Sequence, residues 1–356
     1  MFKRLTIALV FALALTAVAP IALAQEAPPE TPVTFIELAG IVAERDAEIS
    51  GLAWYGDYLL LLTENPFIYA TDEYAGMFYA LDKADILAYL EAEEPEALEP
   101  MEVPIIAPDI VEAVAAFEDD VEVAFDGFES IVFVEDRAYL TIEADTADEE
   151  DETMRAYVVS GVVEPDLSAI TLDLESYIPV PRQTEFNNMS YESMFAAEDA
   201  LVLIYEVNGA AVNEEAVAYV VDAETDELLE EPVPFANVEY RITDVTALDA
   251  DGVFWATNYF YAGEEFLATD EDPIFDEYGM GASQAEFDGF ERLVAFEYTE
   301  DGIVLADTAP IQLEMTEESN GRNWEGIARL DDLGFLIATD KYPGTLLGFV
   351  AVEAAE

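Results

Sequence analysis

"FESIVFVEDRAYLTIEA", residues 128–144, reads as a strand, a tight turn and a second strand. Apolar and β-branched residues fill both arms, and Glu135-Asp136 marks the reversal. A glutamate stands at each end, Glu129 and Glu143, fourteen residues apart. If the hairpin closes at that turn, the two carboxylates become cross-strand neighbours, where like charges repel.

The same grammar recurs four more times. "ISGLAWYGDYLLLLTEN" (49–65) sets Ser50 against Glu64, and "YESMFAAEDALVLIYEV" (191–207) sets Glu192 against Glu206. "TDVTALDADGVFWATNY" (243–259) sets Asp244 against Asn258, and "WEGIARLDDLGFLIATDK" (324–341) sets Glu325 against Asp340. Turn residues occupy each midpoint: Gly56-Asp57, Glu198-Asp199, Asp251-Gly252 and Asp331-Asp332. Copies begin 52 to 81 residues apart. A repeated β unit at that period predicts an all-β protein, a β-propeller in which each hairpin supplies the two inner strands of a blade. The stretches between copies, such as 156–174, 216–233 and 292–311, would then be the outer strands. Five blades are expected, with six as the alternative if a degenerate blade hides in a long gap. Helical apolar spacing over 82–94 predicts one peripheral helix, 109–117 a second short one, and 144–154 an acidic loop.

The chain has 356 residues, with 79 Asp and Glu against 12 Lys and Arg, a formal net charge of -67 and 53% hydrophobic residues. Such a chain can bury a large core, so the acidity belongs to its surface rather than to disorder. Nucleic acid is excluded as a partner, because phosphate contacts need basic stripes. The charge fits either a saline habitat or a lineage of acidic exported proteins. Residues 1–24 carry Lys3 and Arg4, an apolar run and Ala22-Leu23-Ala24, which predicts a cleaved signal peptide. Residues 25–36 read as a Pro-rich linker, and 37–352 as a single propeller domain. A secreted or periplasmic monomer with no membrane insertion is expected. With no Cys and no His, the chain has no disulfide, no serine–histidine triad and no histidine-ligated zinc.

In a propeller each hairpin brings its two polar ends to one rim near the axis. Glu129, Glu143, Glu192, Glu206, Asp244, Glu325 and Asp340 are therefore candidate metal ligands, with Ser50, Glu64 and Asn258 completing the two rings. Carboxylates gathered there are hydrated, paired with Arg, protonated or bound to a cation. Oxygen-only donors favour Ca2+ ahead of Mg2+. The alternative is that they accept hydrogen bonds from neighbouring blades. Arg45, Arg182, Arg241 and Arg322 precede four of the units, so they either pair with the ring or clamp an anionic group. Arg182, Arg241, Arg322 and Asn323 are accordingly the candidate ligand-binding residues, with Asn187, Asn188, Tyr191, Tyr240, Tyr259 and Trp324 around them.

The motifs "SGLAW", "ESIVF", "ESMFA" and "NWEGIAR…LIATDKYPGTLLGF" resemble the phytase-like (esterase-like activity of phytase) family of secreted propellers and the related SdiA-regulated propellers. The resemblance covers about residues 37–352. It implies a propeller, export, often a Ca2+ near the axis, and hydrolysis of phosphoesters or carboxyl esters. The scarcity of Lys and Arg departs from what a polyphosphate substrate needs. Two function classes follow. One is an exported propeller binding Ca2+ and a small molecule or exported partner on the same rim, a role that extends to a structural part of the cell envelope. The other is a metal-dependent hydrolase in which Glu192 or Glu325 activates water.

Overall fold

A computed structural model describes residues 27–352, apart from 72, 108–109, 119–122, 147–153, 187, 262, 265, 270, 288 and 317–320. The signal segment, Asn187 and most of the acidic loop at 144–154 lie outside the described residues.

All five hairpins form where the repeat places them. The first pairs Ile49–Tyr55 with Tyr58–Thr63, the second Val123–Val134 with Arg137–Thr146, and the third Ser193–Ala197 with Ala200–Ile204. The fourth pairs Arg241–Val245 with Val253–Phe260, and the fifth Trp324–Leu330 with Gly334–Thr339. The first three close on two-residue turns whose first residue is left-handed: Gly56 (φ 59°), Glu135 (φ 53°) and Glu198 (φ 55°). That backbone twist matches the right-handed twist of the flanking strands.

Outer strands extend each hairpin. Gly76–Asp82 and Met101–Ile106 follow the first, and Arg155–Val163 and Ile170–Val180 follow the second. The outermost strands of these two units pair in parallel at Ile170↔Ile105, which fuses them into one eight-stranded sheet. Among the described residues there are thus four hydrogen-bonded sheets, which carry the five inner hairpins.

The packing explains why the inner strands lack a clean alternation of apolar and polar residues. Each unit is covered on both faces by its neighbours, so both side-chain sets are buried. Leu59, Leu60, Leu61 and Leu62 all have 0% exposure. Leu60 and Leu62 pack with Ile131 and Leu140 of the second hairpin, whereas Leu59 and Leu61 pack with Ala328 and Leu336 of the fifth. Further cores lie between the second and third units (Tyr139, Leu201), the third and fourth (Phe195, Phe254) and the fourth and fifth (Leu293, Trp324). One apolar core therefore separates each successive pair, and the fifth unit returns to the first. This closed, all-β arrangement is a β-propeller.

The Pro-rich segment read as a linker over 25–36 is structural in its second half. Val33–Ile36 adds an edge strand antiparallel to Leu347–Ala351, with Val33 opposite Val350 and Ile36 opposite Leu347. Chain start and chain end thereby share one sheet and fasten the ring. The Glu30 carboxylate accepts the Ser283 hydroxyl at 2.6 Å and the Gln284 N–H at 3.2 Å, which anchors the segment further. The expected helices run over Lys83–Glu91, capped by Asp82, and Ile110–Val114; both are shorter than the sequence periodicity indicated.

Candidate functional site at the propeller axis

The two glutamates of the repeat do not face each other: with Val134 paired to Arg137 across the two-residue turn, a spacing of fourteen sets Glu129 one residue out of register with Glu143, and an extra residue in the inner strand widens that offset. In the second hairpin Gly127 pairs with Glu143, Phe128 with Ile142, and Ser130 with Thr141, so Glu129 is the unpaired residue of a β-bulge. The same shift falls at Ser50, at Asp244 and at Glu325. In the third hairpin Ser193 pairs with Ile204, yet the Glu206 N–H reaches the Ser190 carbonyl, one residue short of regular register. Each copy thus places its polar first residue in the bulge, which turns that side chain off the sheet face.

Where those side chains go divides the ring. Ser50 donates its hydroxyl to the Phe128 carbonyl of the next hairpin at 2.8 Å. Asp244, 3% exposed, accepts backbone N–H groups from Leu52 at 3.2 Å, Ile327 at 2.7 Å and Val245 at 2.8 Å. It ties the first, fourth and fifth hairpins together across the axis. Burial pushes its carboxyl well up, against those three donors that favour the charged form. Asp244, expected as a metal ligand, thus makes a tie between hairpins and does not line the axial cavity described below. Asn258 is likewise structural, accepting from buried Arg292 Nε at 2.6 Å.

Of the remaining ring carboxylates, all but Glu206 open on one cavity of about 310 Å3. From the entering ends come Glu129, Glu192 and Glu325, and from the leaving ends Glu64, Glu143 and Asp340. Asp126 and Glu264 add two more carboxylates, and Arg241 and Lys341 supply the cations in its wall. Asn188, Asn323 and three tyrosines, Tyr259, Tyr261 and Tyr342, complete the lining. Gly127 lets two of these side chains approach the strand, since a Cβ there would meet Glu129 Oε1 and Glu64 Cγ, each at 2.6 Å, and would displace them.

Charge is compensated unevenly around the wall. Arg241 contacts Glu206 and Glu264 directly and stands 3.9 Å from Glu192. Burial lowers the Arg241 pKa, but Tyr259, Glu264 and Glu192 outweigh it and hold the guanidinium above its ordinary range. Glu206, expected as a metal ligand, has 0% exposure beneath Arg241 and does not line the cavity. Lys341 pairs with Glu48 at 3.2 Å, while burial and its acidic neighbours push Glu64 up to about 8. Glu192 rises to about 8, with burial and the charges of Glu264 and Asp340 outweighing Arg241. Burial raises Asp340 to about 6 against the Tyr342 N–H that it accepts at 2.6 Å. Burial and mutual repulsion push Glu129, Glu143 and Glu325 well above the usual carboxylate range. Glu143, 5% exposed, keeps Oε1 without a hydrogen-bond partner among the described residues.

Two expected ligand-binding arginines lie elsewhere. Arg322 is 3% exposed and pairs with Glu291, its Nη2 at 2.6 Å from Oε2, beside Trp324 Nε1 at 2.7 Å from the same oxygen. Arg182 is exposed, pairs with Glu185 at 3.0 Å and does not line the axial cavity. Tyr191, Tyr240 and Trp324 are buried packing residues. Asp126, Glu264, Lys341, Tyr261 and Tyr342 were not among the expected site residues, whereas Glu64 lines the cavity as a member of the second ring. Lys341 and Tyr342 directly follow Asp340, and Asp126 precedes Glu129 by three, so extending each hairpin by three residues finds them.

Fold and site together define a β-propeller with an acidic axial cavity. No family model matches the chain, and no curated protein matches it. Among solved structures it is similar to the GH43 endo-arabinanase from Bacillus licheniformis (TM-score 0.48, 10% identity, 89% of this chain and 96% of that one). It is also similar to the GH43_1 enzyme from Xanthomonas citri (0.47, 10%, 91% and 92%). A third is the soluble aldose sugar dehydrogenase from Escherichia coli (0.44, 10%, 90% and 100%). These likenesses are weak, and the fold assignment rests on the strand registers and cores above.

Proposed function

We propose that this is an exported, five-bladed propeller that binds a hard cation, Ca2+ ahead of Mg2+, in its axial cavity and holds a ligand or partner at the same mouth. Glu143 carries this reading. An unpartnered buried carboxylate oxygen is costly, and it stands in a cavity of eight carboxylates with two cations. The donor set, oxygen only, suits Ca2+, which takes roughly six to eight oxygen ligands, water among them. Among the described residues no three carboxylates stand close enough to hold a bare ion. The ion would keep part of its water shell, and Glu64, Glu129 and Glu143 are the residues that would hold it. It would supply charge neutralisation there.

Export rests on the N-terminal signal, and no helix among the described residues is long and apolar enough to cross a membrane. Kinship with the phytase-like and SdiA-regulated propellers is part of the proposal, resting on the repeated motifs. The hydrolase alternative asks Glu192 or Glu325 to take a proton from water. Burial holds both toward their protonated forms, which suits an acid better than a base. Titration calorimetry of Ca2+ into chelator-treated protein tests the reading. Saturable binding to the unmutated protein, weakened at least tenfold in Glu143→Gln, supports it; no heat beyond dilution in the unmutated protein rejects it.

A further inference from the structure

The spacing that disfavours a bare ion points to a longer cation. The carboxylates are spread around a cavity of about 310 Å3, room for roughly ten waters at ~30 Å3 each. A point charge satisfies one part of such a wall, whereas a chain with charges at intervals satisfies several parts at once. The cavity already accommodates groups of this chemistry. Lys341 extends a primary ammonium into the wall on an aliphatic stem, and Arg241 extends a guanidinium among Glu192, Glu206 and Glu264. On the side formed by the first, second and fifth hairpins, Glu64, Glu129, Glu143, Glu325 and Asp340 have Lys341 as the cation in the same wall. At the mouth, Tyr261 and Tyr342 are 51% and 47% exposed, and Arg45 lies 4.9 Å from the centre of the Tyr342 ring. Aromatic faces of this kind hold ammonium groups and the methylenes between them.

We propose that the cavity's ligand is a small oligoamine, an aliphatic chain carrying two or more ammonium groups that bridge carboxylates from different hairpins. This rests on the reading of the cavity as a cation site, and names the class of organic cation it takes. Anionic ligands are disfavoured because both wall cations are already engaged. Binding is noncovalent, the ammonium N–H groups donating to carboxylate oxygens, among them the unpartnered Glu143 Oε1.

The test is titration calorimetry of the mature chain with butylamine, putrescine and spermidine at one fixed ionic strength, beside a Ca2+ arm. The expected result is one saturable site whose affinity rises at least tenfold with each added ammonium group. Glu129→Gln with Glu143→Gln, checked for fold by circular dichroism, should weaken spermidine at least tenfold. A control pair on the exposed surface, Glu230→Gln with Glu231→Gln, should change it less than twofold. Equal weakening by both pairs would assign the binding to diffuse surface charge and overturn the proposal. Saturable Ca2+ binding with no spermidine binding overturns the oligoamine and leaves the cation reading standing. No binding in either arm overturns both.

Discussion

Replacing Asp244 separates its structural role from a ligand role. Its carboxylate receives three backbone N–H groups, from Leu52, Ile327 and Val245, at 2.7 to 3.2 Å, with 3% exposure. In Asp244→Ala all three donors lose their acceptor in a water-poor interior. Each buried, unsatisfied donor costs about 1–3 kcal/mol, so the sum is roughly 3–9 kcal/mol, with local relaxation and water entry bringing it toward the low end. Asp244→Asn keeps one oxygen for the Leu52 and Ile327 donors but turns an NH2 toward the Val245 N–H. One donor is then lost, at about 1–3 kcal/mol. Urea unfolding of unmutated, Asn and Ala proteins should therefore give a graded loss, Asn smaller than Ala. The calcium-dependent increment in stability should persist in Asp244→Asn. A loss below about 1 kcal/mol in Asp244→Ala would refute the tie across the axis. Abolition of the calcium increment by Asp244→Asn would make it a ligand instead.

Other outcomes follow from the same site. Calcium-free protein should lose stability as pH rises from about 5 to about 8.5. Glu64 and Glu192 are held up at about 8 and Asp340 at about 6, against roughly 4 for unfolded carboxyls. Protons retained by the folded state favour it fully below the unfolded pKa, and that stabilisation is lost as pH passes through the folded values. A urea midpoint that climbs over this range would contradict the assignment. Arg241→Met should cost about 3–5 kcal/mol by stranding Glu206 and Glu264; a denaturation curve within about 1 kcal/mol of the parent would show the pairings to be weak. Mass spectrometry of exported protein should find a chain beginning at Gln25, and a product beginning at Met1 would reject the processing site.

The fold was legible because the hairpin grammar is local: each turn, such as Glu135-Asp136, lies within a few residues of the strands it joins. What the spacing could not convey is the bulge. About the two-residue turn the fourteen-residue interval already sets Glu129 one residue out of register with Glu143, and the extra residue, which changes no composition, widens that offset and turns Glu129 to the axis. The ring therefore lay at the expected rim without the expected pairings. Which acids face the cavity depends on partners more than 60 residues away: the Ser50 hydroxyl reaches Phe128 and the Asp244 carboxylate reaches Leu52 and Ile327. Arg241 and Arg322 look alike in sequence, each shortly before a ring acid, and differ only in tertiary surroundings. The strand at Val33–Ile36 was hidden by the prolines that precede it, because its partner lies at the far end of the chain.

The central claim, that the axial carboxylates hold a cation, is tested most directly by melting temperature at matched ionic strength. A ligand that binds only the folded state at a hundredfold excess over Kd stabilises it by roughly 2.7 kcal/mol. For a domain of this size that corresponds to an increase of about 5 °C. Millimolar Ca2+ should therefore raise the melting temperature by several degrees beyond NaCl of the same ionic strength. In Glu129→Gln with Glu143→Gln the calcium increment should vanish while the general salt response, set by the surface acids, remains. Equal melting temperatures in Ca2+ and NaCl for the unmutated protein would contradict the claim and leave the cavity a protonated, hydrogen-bonded part of the fold.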